Sequence, residues 1–120
     1  GGMLFVDDHN HDIDGTFHKT ATEEIARTVA PLAELPNDHP LFSAFFKFDG
    51  PPTTSHELNG WGDNLVHKHL LAVQRGGRIA VLFSNKDYSS EWNYHPESKR
   101  FLTVDNTRFA VNLVVYALTA

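Results

Sequence analysis

The sequence predicts an α/β domain with a mostly parallel sheet flanked by helices and carrying one β-hairpin. Three observations lead there. The apolar run Met3-Leu4-Phe5-Val6 stands between Gly1-Gly2 and Asp7-Asp8, and short unbroken apolar runs mark strands buried on both faces, the habit of parallel sheets. An apolar stripe at near-helical spacing follows. A second apolar run, Ile79-Ala80-Val81-Leu82-Phe83, comes after Arg75-Gly76-Gly77, a glycine connection that suits a hairpin. Strand, helix, hairpin, helix is the order of a mostly parallel sheet with one antiparallel element.

Each element has its own signal. Phe17, Ala21, Ile25 and Val29 make one face of a helix over residues 17–29. Thr20 and Glu23 have capping-box spacing, and Pro31 ends the helix. His39-Pro40-Leu41-Phe42 opens a short helix, because proline suits a first turn, with Phe42, Phe45, Phe46 and Phe48 as core anchors. Residues 49–64 hold Gly50, Pro51, Pro52, Gly60 and Gly62 and read as a long irregular surface loop. The hairpin strands fall over residues 69–73 and 78–83. Residues 84–100 read as another loop. Asp105-Asn106 then caps a helix over residues 107–118, apolar nearly all round and therefore expected to be buried. Residues 1–120 form a single α/β domain or the C-terminal part of one. A buried strand at residue 3 needs neighbours on both sides, so an upstream segment or a second chain is expected to complete the sheet.

Composition narrows the class. The chain is 41% hydrophobic and 12% aromatic, enough for a core and unlike a disordered chain. Its net charge is −5, from 15 acidic and 10 basic residues; with no basic patch, nucleic acid is not an expected partner. No apolar run reaches the roughly 18–20 residues that span a bilayer, so this chain is expected to have no membrane span. The absence of cysteine removes disulfides, thiolate metal sites and cysteine nucleophiles, and leaves periplasm and cytoplasm equally open. There is neither a G-x-S-x-G elbow nor a phosphate-binding glycine loop, and no catalytic residue is assigned.

The chemistry concentrates just after the first run. Seven of the twelve residues 7–18 are Asp or His: Asp7, Asp8, His9, His11, Asp12, Asp14 and His18. Ligand sites of open α/β sheets lie at the carboxyl ends of strands. If the strand runs on, Asp7, His9 and His11 project to one side and are candidate metal ligands. Imidazole with carboxylate suits a divalent transition metal such as zinc, iron, manganese or nickel. The alternative is a solvated loop whose aspartates favour the N-terminus of the next helix. Asn10-x-Asp12-x-Asp14-Gly15 copies the opening of a calcium loop, but Ala21 stands where the bidentate Glu belongs. Asp7-x-His9-x-His11 looks like the first-strand motif of metal-dependent amidohydrolases, where imidazoles hold a metal that activates water. That gives a hydrolase alternative with Asp8 or Asp87 as general base, although such barrels run to about 250 residues.

Residues 84–94 leave the second apolar run at its carboxyl end. Asp8, Asn85, Asp87, Glu91 and Trp92 are therefore candidate ligand-binding residues, sharing one cleft with the 7–11 loop if both strands run parallel. His67-x-His69 reads as edge-strand histidines, His39 and His95 as turn residues before proline, and His56 carries no signal. A structural or interaction module without a small-molecule site is the third reading.

Several segments carry a resemblance: Gly1-Gly2-Met3-Leu4-Phe5-Val6-Asp7-Asp8, His39-Pro40-Leu41-Phe42, Phe48-Asp49-Gly50, Gly77-Arg78-Ile79-Ala80-Val81 and the closing Asn112-Leu113-Val114-Val115-Tyr116-Ala117-Leu118-Thr119. Together and in this order they resemble a bacterial family named only as domain of unknown function 4159, across essentially the whole chain. The resemblance implies a class I glutamine amidotransferase-like, flavodoxin-like sandwich with more sequence before the Gly-Gly strand. It also implies a nucleophile elbow after that strand. Asp7-Asp8-His9 stands there without cysteine, which argues against amidotransferase activity. The family brings no settled function, and export of some relatives keeps the periplasm open.

Overall fold

A computed structural model describes residues 2–8, 14–59, 68–92 and 100–120. In chain order these form β1 (Leu4–Asp7), α1 (Thr16–Thr28), β2 (Ala33–Glu34), a 3-10 turn (Pro40–Ser43), α2 (Ser55–Asn59), β3 (Leu71–Arg75), β4 (Arg78–Ser84), α3 (Tyr88–Trp92) and α4 (Arg100–Thr119).

The sheet has the order β1-β4-β3-β2, and it is mixed. Among the described residues only β1 and β4 run parallel, in register from Leu4↔Val81 to Asp7↔Ser84. The β4–β3 and β3–β2 pairs are antiparallel. This corrects the expected mostly parallel sheet flanked by helices, and the amidotransferase-like sandwich that the resemblance implied is not confirmed. Two local causes act. Gly76 and Gly77 take φ of 59° and 78°, the left-handed pair of a tight hairpin turn, so β3 and β4 must oppose. The chain at Ala33–Glu34, too short to show a pattern, then adds antiparallel to β3.

Among the described residues β1 has one strand neighbour, β4. Leu4 is 56% exposed, so apolar continuity in residues 3–6 does not mean burial on both faces. Met3 and Phe5 pack against one core and Val6 against the other. On the α4 side of the sheet lie Leu41, Phe42, Ile79, Leu82, Tyr88, Phe109, Leu113 and Tyr116. On the α1 side lie Ile25, Val73, Val81 and Phe83. Alternation along β4 sends Leu82 to one face and Val81 and Phe83 to the other, but the pairing then skips Ala80: Val73 faces Val81 and Gln74 faces Ile79. Such a bulge shifts the alternation by one residue, placing Ile79 on the face of Leu82. Beside it the Ile79 N–H donates to the Tyr116 hydroxyl at 2.9 Å.

The helices depart from expectation in detail. α1 begins at Thr16 behind Gly15, whose φ is 67°, so Thr20 and Glu23 lie within the helix instead of capping it. Of the expected stripe only Ile25 is buried, and Phe17 is half exposed. The turn at Pro40–Ser43 is capped by His39, whose Nδ1 accepts from Leu41 N at 3.0 Å. Phe42 is buried there, while Phe45 points outward. Segments expected to be irregular contain α2 and α3. α4 already includes Arg100, so Asp105 and Asn106 sit inside it, and Asn106 is fully buried. Asn112, also fully buried, donates from Nδ2 to Leu41 O and Phe46 O (3.0 and 2.8 Å) and accepts from Phe46 N (2.8 Å), which ties the phenylalanine-rich turn to α4. Among the described residues no helix is long and apolar enough to cross a membrane.

Candidate functional site at the carboxyl edge of β1 and β4

Parallel pairing sends both strands out of the sheet at the same edge, with Asp7 level with Ser84. The Asp8 N–H extends the ladder to Ser84 O at 2.7 Å. From Ser84 the chain passes through Asn85, Lys86 and Asp87 into α3. Asp87 takes φ of 62°, a left-handed conformation that a non-glycine residue adopts only when its surroundings impose it. Its Oδ1 accepts from the hydroxyls of Ser90 (3.0 Å) and Ser89 (3.3 Å), so it holds the first turn of α3.

Asp7 joins the two strand ends. Its Oδ2 accepts from Ser89 N at 2.8 Å, and its Oδ1 is buried with no hydrogen-bond partner. Burial pushes the carboxyl from 3.8 up to about 6. Hydrogen bonds from Ser89, Ser84 and Tyr88 act in the opposite direction, and the nearby charge of Asp87 adds to the rise.

A strap formed by residues 52–57 closes over this elbow. Tyr88 Oη donates to Pro52 O at 2.8 Å, Asn106 Nδ2 to Thr53 O at 3.0 Å, Thr54 Oγ1 to Lys86 O at 2.6 Å, and Ser55 N to Glu91 Oε1 at 2.6 Å. Lys86 Nζ pairs with Glu57 Oε1 at 3.1 Å, and His56 Nδ1 lies 3.8 Å from Asp87 Oδ2. The Thr54 hydroxyl accepts from Glu57 N, while Glu57 Oε1 accepts from Thr54 N, a capping box that starts α2. Burial, then the charges of Glu57, Asp7 and Glu91, raise the Tyr88 phenol well above its usual value, so it remains a neutral donor.

Of the expected site residues, Asp7, Asp8, Asn85, Asp87 and Glu91 therefore lie at or beside one edge, all but Asp7 almost wholly buried. Glu91 turns inward to hold the strap. Trp92 stacks near Tyr88 and donates Nε1 to Asn106 O at 2.9 Å, so it braces α4. Asp87 Oδ1 accepts from the two serine hydroxyls, while its Oδ2 faces the His56 ring at 3.8 Å. His9, His11, Asn10 and Asp12 lie outside the described residues, as do His67, Tyr94 and His95. Among the described residues no group of three or more His, Asp or Glu side chains is placed to hold a metal ion. His69 instead meets Asn37 Oδ1 at 3.2 Å. The sequence reading missed Thr54, Ser55, His56, Glu57 and Lys86. The Thr54-x-x-Glu57 spacing was the one signal available for them.

Fold and edge together define a small mixed α/β domain with a carboxylate-rich, largely buried polar site where two parallel strands end. The family model described as a domain of unknown function, DUF4159, matches residues 1–118, and the chain belongs to that family. No curated protein matches it.

Proposed function

We propose that this domain binds a divalent transition metal, or a small polar ligand in its place, at the carboxyl edge of β1 and β4. Asp7, His9 and His11 are the proposed metal ligands; Asp8, Asn85, Asp87, Glu91 and Trp92 are the proposed residues lining the site. The observation that carries the reading is the Asp7 carboxylate, with one oxygen fixed by Ser89 N–H and the other buried and unpartnered. A buried carboxylate oxygen without a donor is costly, and a cation or a ligand N–H would remove that cost. The surroundings are acidic: Asp8, Asp87 and Glu91 are buried at or beside the same edge, and Lys86 pairs with Glu57. Carboxylate with imidazole is a donor set for zinc, manganese or nickel.

Calorimetric titration with each of these three metals tests the reading, on the wild type, Asp7→Asn and the double variant His9→Ala/His11→Ala. Binding is expected in the wild type, at least about tenfold weaker in both variants, and weaker as pH falls through 6, because protons compete with the metal for Asp7 and the imidazoles. A wild type that binds none of the three, or variants that bind as tightly, would sink it.

A further inference from the structure

At the hairpin end of the sheet, away from the carboxyl edge, His39 caps the Pro40–Ser43 turn. Caps are usually Ser, Thr, Asp or Asn, whose oxygens still accept in mild acid. An imidazole nitrogen accepts only while it carries no proton. Pro40 has no N–H, so Leu41 N–H is the first amide of the turn to need a partner, and it donates to His39 Nδ1 at 3.0 Å. That bond fixes the tautomer. Nδ1 is bare, so the ring proton sits on Nε2 and is donated to Gln74 Oε1 of β3 at 3.3 Å. The ring is buried and packs edge-on against Tyr116 of α4, with 5.5 Å between centroids. His39 also borders a cleft of about 370 Å³, lined as well by Asp38, Phe42, Phe48 and Asp49.

We propose that His39 is a two-position acid switch: neutral, it caps the turn from inside; protonated, it leaves Leu41 and turns into the cleft between Asp38 and Asp49. The inner position does not accommodate a second ring proton. Nδ1–H would point at Leu41 N–H, donor against donor, and a charged ring against Tyr116 would lose its hydration. The cleft offers two carboxylates and access to water, since Asp38 and Asp49 are both exposed. The groups around the ring are Asp38 beside it in the chain, Asp49 across the cleft, the Tyr116 phenol on α4 and the uncharged Gln74 on β3. Burial holds the ring's proton affinity below its ordinary 6.5, while Gln74 and Asp38 act the other way. As pH falls, the folded chain takes up this proton later than the unfolded one. The cap's contribution is therefore full above 6.5 and is lost as pH falls below it. Phe42 stays in the core and Asn112 still holds Leu41 O and Phe46, so the release is local.

Nitrogen NMR of the imidazoles, with hydrogen exchange at the Leu41 amide, tests the switch on the wild-type chain. His39 is expected as the Nε2–H tautomer in neutral solution, with a titration midpoint below 6.5. Across that midpoint the protection factor of the Leu41 amide falls at least about fivefold. His39→Asn caps without titrating and is expected to keep Leu41 protected over the same range. Asp38→Asn with Asp49→Asn removes the partners of the charged ring and is expected to lower the midpoint. An Nδ1–H tautomer overturns the proposal, and so does a Leu41 amide whose protection ignores the His39 titration. These two readouts come from the wild type alone and decide the matter even where a variant does not fold. A loss of protection that His39→Asn retains, or a midpoint that the double variant leaves unmoved, overturns it too. Asp7, whose carboxyl titrates near 6, acts at the other end of β4, so the readouts are taken at His39 and Leu41 instead of from overall stability. The proposed metal ligands take no part, and failure of either reading leaves the other standing.

Discussion

Asp7 shows what a single side chain contributes at this edge. Its carboxyl holds a proton up to about pH 6 in the folded chain and to about 3.8 otherwise. Between those values the folded state binds more protons than the unfolded state, so stability falls as pH rises from about 4 to about 6 and stays lowered above. A rise from 3.8 to about 6 corresponds to at most about 3 kcal/mol, less whatever solvent screening removes. Asp7→Asn keeps an oxygen for Ser89 N–H and carries no charge. In urea denaturation it is expected to be about 1–3 kcal/mol more stable than the wild type at pH 8, with the gap closing near pH 4. Parallel profiles would show that another group sets the pH dependence. Asp7 and Asp87 were legible as candidate residues because each lies within a few positions of the end of an apolar run. Lys86, Glu57 and Ser55 were not, because their partners lie about 30 residues away along the chain, and only the folded strap brings them together.

Among the elements, the hairpin was the most legible, since two adjacent left-handed residues call for glycine. α2 and α3 have five residues each and β2 two, too few to reveal a period. The start of α4 was hidden by Asp105-Asn106, a pair with the composition of a cap. Asn106 works there as a clamp, donating to Thr53 O and Leu102 O. Asn112 has the same kind of task for the 41–46 turn. Asn112→Ala removes three hydrogen bonds and strands Phe46 N–H against α4, so a loss of about 2–3 kcal/mol is expected. Thermal and urea unfolding measure it, and a loss below about 0.5 kcal/mol would mean that the turn is held by its phenylalanines alone.

For the molecule as a whole, the α/β class was readable from periodicity, but the direction of the strands was not. An apolar run of four residues looks the same in a parallel strand and in an antiparallel one. That the candidate residues after β1 and β4 meet at one edge was legible in outline, because the two apolar runs form the parallel pair seen among the described residues.

The residue skipped in β4 has a consequence for comparing relatives of this chain. Ala80 acts as a phase shifter, so Arg78–Ser84 contains two half-strands whose inward positions fall on opposite parities. An alignment that closes a one-residue gap there turns Ile79 over, from the α4 side to the α1 side, and separates its N–H from Tyr116. Length at this point is thus as strictly specified as identity. Kin that keep a tyrosine at the place of Tyr116 are expected to keep the extra residue with it.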